Sequence, residues 1–134
     1  MNSSDNEACR YSLDDFELYR YAREFRKKVY RLIKQLPPEE RYCLAPQMRR
    51  AAVSVTNNIA EGHGRWHYQE NIQFCRVSRG STDELIDDFN VCLDEHYGDQ
   101  AFVTALKAEA HDLIRRVNGY IAYLRKSRQG SEPR

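Results

Sequence analysis

The chain has 134 residues, 41% of them hydrophobic and 31% charged, with a formal net charge of +1. That length holds one modest core and leaves no room for a second domain, the apolar and charged fractions exclude a disordered chain, and the near-zero total charge supplies no general pull toward nucleic acid. No uncharged apolar run approaches the roughly 20 residues of a membrane span and the N-terminus lacks a signal-peptide hydrophobic region, so a soluble, cytoplasmic protein with no membrane contact is expected.

Residues 1–11 are expected to form a disordered arm, 12–126 a single bundle and 127–134 a disordered tail that is polar and carries Gly and Pro. Ser12 with Asp15 three residues on resembles a capping box, and the acids Asp14, Asp15 and Glu17 favour a helix start there. The first predicted helix runs to Pro37-Pro38, with Leu18, Ala22, Phe25, Val29, Leu32 and Leu36 recurring at spacings of four and three as one core stripe.

Pro46 suits the first turn of a second helix, which should end near Gly62 or Gly64. Its middle, Ala51 to Ala60, is ten residues without a charge, although Met48, Ala52, Val55 and Ile59 alone would fill a core stripe. This helix is therefore expected to be covered on more than one side, by its own chain and by neighbouring copies.

The segment Asn57 to Tyr68 then gathers two histidines, a carboxylate and an arginine. An acid–base site has to be weighed there. However, His63, His67, His96 and His111 each lack an arginine five to seven residues earlier, the spacing of a helical-bundle ribonuclease motif. Gly64 also interrupts any helical metal-binding face between His63 and His67. Neither a catalytic residue nor a metal or other cofactor is expected. The alternative is a structural polar network in which Asn57 or Asn58 finds partners among Arg50, Glu61, Arg65, Ser78, Ser81 and Glu84, fixing how the second and third helices meet.

The third predicted helix runs from His67 to His96 with Phe74, Val77, Ser81, Leu85, Phe89 and Cys92 inward, and Gly80-Ser81 in its middle should let another helix approach closely. After a Tyr97-Gly98-Asp99 turn, the fourth runs from Ala101 to Arg125 with Phe102, Leu106, Leu113, Val117, Tyr120 and Leu124 inward. Four long helices joined by short connections predict an all-α, antiparallel up-down four-helix bundle. Cys9, Cys43, Cys75 and Cys92 form no CxxC pair, and Cys75 and Cys92, about 25 Å apart on one helix, cannot bond. They are expected as small hydrophobes.

Charge is segregated along the chain. Seven basic and two acidic residues lie between Phe16 and Gln35, whereas Ser81 to Asp99 holds seven acids and no base. Arg20, Lys27, Arg31 and Lys34 each follow a core position by two residues, which turns them nearly opposite the buried stripe, and Arg23 joins that outer line. Such a rail could neutralise successive phosphates of RNA or DNA. A solvated face, or a charge partner for the acidic stretch of the third helix, is the plainer reading of the same residues.

Gln47-Met48-Arg49-Arg50-Ala51-Ala52-Val53-Ser54-Val55, Asn58-Ile59-Ala60-Glu61-Gly62, Gly64-Arg65, Gly80-Ser81 and Glu84-Leu85 together resemble the four-helix-bundle family encoded in 23S rRNA intervening sequences. That family is related to the accessory variability determinant of diversity-generating retroelements. The resemblance spans roughly Phe16 to Leu124 and implies a ring-shaped homopentamer without established catalytic activity. In the retroelement branch it implies contacts to a reverse transcriptase and to nucleic acid. By position, Arg49, Arg50, Asn58, Glu61, Gly62, Arg65, Gly80, Ser81 and Glu84 match the family pattern and are implied to be its structural signature. Ala45-Pro46 departs from the Thr or Ser common before the second helix, and Trp66-His67 from the small or polar residues expected after Gly64-Arg65.

Overall fold

Phe16 decides where the first helix begins. The Ser12 hydroxyl donates to the Asp15 carboxylate at 3.0 Å, and the Asp15 N–H closes a single 3-10 turn on the Ser12 carbonyl. Phe16 then takes an extended backbone, φ −76° and ψ 115°, so the expected capping box becomes a separate turn, Leu13–Asp15. What holds Phe16 out of the helix is its ring, 4.8 Å from that of His63 and 5.0 Å from that of Tyr120. The computed structural model describes residues 12–131, with side chains for 12–127. The expected arm over 1–11 lies outside the described residues.

Four α-helices follow: α1 Glu17–Ile33, α2 Leu44–His63, α3 Tyr68–Glu95 and α4 Gln100–Ser131, with a 3-10 turn at Pro38–Glu40 between the first two. No strand occurs among the described residues. The Ala45-Pro46 start of α2 offers no side-chain cap of its own. Instead Glu40 accepts the Leu44 N–H at 3.2 Å through one carboxylate oxygen and the Tyr97 hydroxyl at 2.9 Å through the other. At the α3–α4 turn His96 and Gly98 both take positive φ, 60° and 72°. Asp99 caps α4 through Oδ1, which accepts the N–H groups of Ala101 at 3.0 Å and Phe102 at 3.2 Å.

The principal packing pairs are α1 with α2, α2 with α3, α3 with α4, and α1 with α4. Each helix thus turns its apolar side to a shared centre. Phe25, Val29 and Leu32 of α1, Met48, Val55 and Ile59 of α2, Leu85 and Phe89 of α3, and Leu106, Leu113 and Val117 of α4 are all fully buried there. Phe25 meets Phe89 edge to face, with ring centroids 6.3 Å apart. Both stripes expected for α1 and α2 are therefore in the core, except that Leu36 packs against it only partly buried.

Three expectations are corrected. In the N-terminal half of α3 the buried line is Asn71, Ile72, Cys75, Ser78 and Thr82, while Val77 is 51% exposed and Phe74 half-buried. Polar residues occupy that line because each has a partner. Asn71 donates to the Tyr120 hydroxyl at 3.1 Å, Ser78 to the Val55 carbonyl at 2.8 Å and Thr82 to the Ser78 carbonyl at 2.9 Å. Secondly, the glycine at which helices approach is Gly62. A Cβ there would lie 2.6 Å from Asn71 Oδ1 and 3.2 Å from the Asn71 carbonyl oxygen, whereas one at Gly80 would meet nothing within 4 Å. Thirdly, α4 continues past Arg125 to Ser131, so the expected disordered tail is helical over 127–131, and only 132–134 lie outside the described residues. Val103, not Phe102, is its first buried apolar residue.

Candidate nucleic-acid interface

The amphipathic pattern of α1 dictates where its cations go. With Ala22, Phe25, Val29 and Leu32 fully buried, Arg20, Arg23, Lys27, Arg31 and Lys34 all fall on the exposed side. They are not equally available. Arg23 faces Asp14 at 3.9 Å and Lys27 faces Glu24 at 3.1 Å, both pairs largely solvated and worth little energetically. Arg31 lies over the Phe102 ring, 6.0 Å from its centroid. Arg20, Arg31 and Lys34 have no carboxylate partner among the described residues.

The inner flank of the same helix binds α4, a set of contacts the sequence reading missed. Lys28 pairs with Glu109 at 2.8 Å. The Tyr21 hydroxyl donates to Asp112 at 2.8 Å, and Arg116 both donates to Asp112 at 3.0 Å and lies over the Tyr21 ring, 4.1 Å from its centroid. Partial burial, with the bond to the Asp112 carboxylate adding to it, pushes the Tyr21 phenol up to about 12. The Tyr21 bond, then Arg116, holds the Asp112 carboxyl below its ordinary range. Among the described residues no ion pair joins α1 to the acidic stretch of α3; the partners of α1 lie on the Leu13–Asp15 turn, on α4 and on α1 itself. Asp83, Glu84, Asp87, Asp94 and Glu95 instead stand exposed without a cationic partner among the described residues.

Of the residues expected to form a polar network between α2 and α3, the structure brings together Asn58 and Ser81, through Ser54. Asn58 donates to the Ser54 carbonyl at 2.8 Å and to the Ser54 hydroxyl at 3.0 Å, and that hydroxyl meets the Ser81 hydroxyl at 2.7 Å. Ser54 is the missed link, and a serine four residues before Asn58 was its signal. Glu61 and Arg65 form their own pair at 2.8 Å at the end of α2, with Arg65 also over the Phe74 ring at 5.0 Å. Arg49 lies over the Tyr30 ring at 5.4 Å. Arg50 and Glu84 are exposed and do not join the network.

A second missed residue lies further along the same interface. Asp88 is 1% exposed; its Oδ1 accepts from Gln47 Nε2 at 2.7 Å, and its Oδ2 is buried without a partner. Burial raises its carboxyl to about 6, against the lowering effect of the Gln47 bond. Its signal was position, because it follows Leu85 by three and precedes Cys92 by four, the spacing of the core itself.

His63 and His67 do not form a helical pair. α2 ends at His63, which is half-buried and stacked on Phe16, and His67 sits exposed at the N-cap of α3. No group of three or more His, Cys, Asp or Glu side chains that could hold a metal occurs among the described residues. Cys75 and Cys92 are buried, whereas Cys43 is exposed against expectation and Cys9 lies outside the described residues. No helix among the described residues is long and apolar enough to cross a membrane.

A search of curated proteins finds no match to this chain. The family model described as 23S rRNA-intervening sequence protein matches residues 14–119, from the turn before α1 well into α4. Because that match covers most of the chain, and all of the Arg49 to Glu84 signature, the protein belongs to the 23S rRNA-intervening sequence protein family.

Proposed function

We propose that this chain is a non-enzymatic, homo-oligomeric helical scaffold that binds RNA or DNA through the basic outer line of α1. The observation that carries the reading is the common exposure of Arg20, Arg23, Lys27, Arg31 and Lys34, three of which have no carboxylate partner among the described residues. In this reading the helices run antiparallel, up and down, and the chains close into a cytoplasmic homopentameric ring, as family membership suggests. One chain offers only a handful of phosphate contacts. A ring repeats them by symmetry, so modest local charge gives useful affinity.

The test is a titration of fluorescently labelled single- and double-stranded RNA and DNA with the full chain, read by anisotropy, with mass followed by light scattering. Affinity should fall steeply between about 50 and 200 mM salt, and charge reversal at Arg20, Lys27 and Arg31 should flatten that dependence. Binding that ignores both salt and charge reversal refutes the reading. A second reading, an adaptor for a reverse transcriptase with little nucleic-acid contact, draws on the exposed rings of Tyr42, 83% exposed, and Trp66, 69% exposed, and on the two rail cations occupied within the chain. Salt-insensitive capture of the reverse transcriptase by a chain that does not shift RNA would favour it.

A further inference from the structure

One surface remains unexplained by the core and by the α1 line. Along the outer side of α2 runs an open groove of about 550 Å³. Pro46, Val53 and Tyr30 give its lining apolar surface, Ser54, Asn57 and Asn58 polar groups, and Arg49 and Arg50 positive charge. No acidic residue lines it, and neither arginine has a carboxylate partner among the described residues. This is the uncharged stretch of α2 that exceeds what one core stripe can use. In the single chain it stays only half covered, with Val53 and Ser54 half-buried and Asn57 exposed.

The same chain carries the opposite surface elsewhere. Asp83, Asp87 and Asp94 are exposed and lie within about 40° of one another on the outer side of α3, at 100° per residue. From Asp83 to Asp94 is eleven residues, about 16 Å of helix, and from Pro46 to Asn57 is the same eleven residues of α2. The α1 cations are a poorer match for this row, because Asp14 and Glu24 already face two of them.

We propose that the outer groove of α2 receives the acidic outer face of α3 from a second copy of this chain. The inference rests on the self-association proposed above and names the two faces that meet. Because those faces are different patches of one surface, the contact is head-to-tail, the kind that closes into a ring when its rotation allows. Its charges are partly solvated, so the association should weaken with salt.

Sedimentation of the full chain tests this against Arg49→Glu with Arg50→Glu, against Asp83→Lys with Asp87→Lys, against their equimolar mixture, and against a chain carrying all four changes. Each pair alone should lower the mass to that of one chain, and the fourfold variant should recover the wild-type mass; the mixture should associate again above the mass of one chain, although two variants that can only alternate do not close a ring of five. Arg49→Gln with Arg50→Gln serves as a milder break, and wild-type helix content by circular dichroism below the melting transition shows that the fold survives, since loss of association by itself lowers the midpoint. If every variant keeps the wild-type mass, these faces do not meet, although self-association stands. A wild-type chain that sediments alone at all concentrations overturns this inference and the scaffold reading together. Should Arg49→Glu with Arg50→Glu leave the mass unchanged but abolish binding of labelled RNA, the groove holds nucleic acid and the proposal is wrong.

Discussion

Replacing Asp88 by asparagine should change the pH dependence of stability more than its absolute value. The carboxyl is 1% exposed, one oxygen has only the Gln47 amide as donor and the other has none. Burial, reinforced by the nearby Asp87 and Glu84 charges, raises it from the ordinary 3.8 to about 6. The folded state therefore holds its proton more tightly than the unfolded state. Below about pH 3 both states are protonated and the group costs nothing. As pH rises toward 6 the unfolded chain ionises first, so stability falls, and above about pH 7 the full cost remains. At about 1.4 kcal/mol per pH unit, that cost is about 3 kcal/mol, of which about 2 kcal/mol develops between pH 4 and pH 7.

In Asp88→Asn the side-chain carbonyl would still accept from Gln47, but the new amide would place two N–H bonds where Oδ2 now lacks a donor, a pH-independent penalty of about 1–3 kcal/mol. The sign of the mutation at one pH therefore depends on which of two similar magnitudes is larger, whereas the sign of its slope does not. Urea unfolding followed by circular dichroism, at fixed chain concentration because association shifts the equilibrium, gives the difference between variant and wild type at each pH. The other titrating groups cancel in that difference. It should rise by about 2 kcal/mol in favour of Asp88→Asn from pH 4 to pH 7 and then level off. A difference that stays flat to within about 0.5 kcal/mol over that range would show that Asp88 is not a buried, uncompensated carboxyl.

Gly62→Ala should destabilise by about 1–3 kcal/mol, lowering the thermal midpoint, because its Cβ would meet the Asn71 backbone oxygen at 3.2 Å, and backbone cannot swing aside. Gly80→Ala should raise the midpoint, gaining about 1 kcal/mol of helix propensity in open space, and a loss there would mean that the site is covered in the assembly. Asp99→Ala should cost about 1 kcal/mol in urea unfolding by freeing the N–H groups of Ala101 and Phe102, while Asp99→Asn should retain most of that stability.

Hydropathy spacing located α1 and the core side of α2 because large apolar residues alone define those stripes, and once the stripe of α1 is known the exposure of Arg20, Lys27 and Arg31 follows from 3.6-residue geometry. It misplaced the N-terminal half of α3, where the buried line is written in Asn71, Cys75, Ser78 and Thr82 and the conspicuous Val77 points outward. A polar residue is buried only when a partner arrives from another element, and the Tyr120 hydroxyl and Val55 carbonyl are invisible to any local pattern. The same limit hid Asp88, which counted as one more charge of an acidic stretch until Gln47, 41 positions away in the chain, closed over it. What remained legible was the imbalance itself: an uncharged helix with more apolar surface than one core needs, and a half-helix of acids with no base among them. The fold resolves neither within one chain, since the α2 groove stays open and the α3 acids stay unmatched. Both surpluses disappear at once if copies of the chain meet one another through those two faces, which is why assembly, more than any single side chain, is where the function of this protein should be sought.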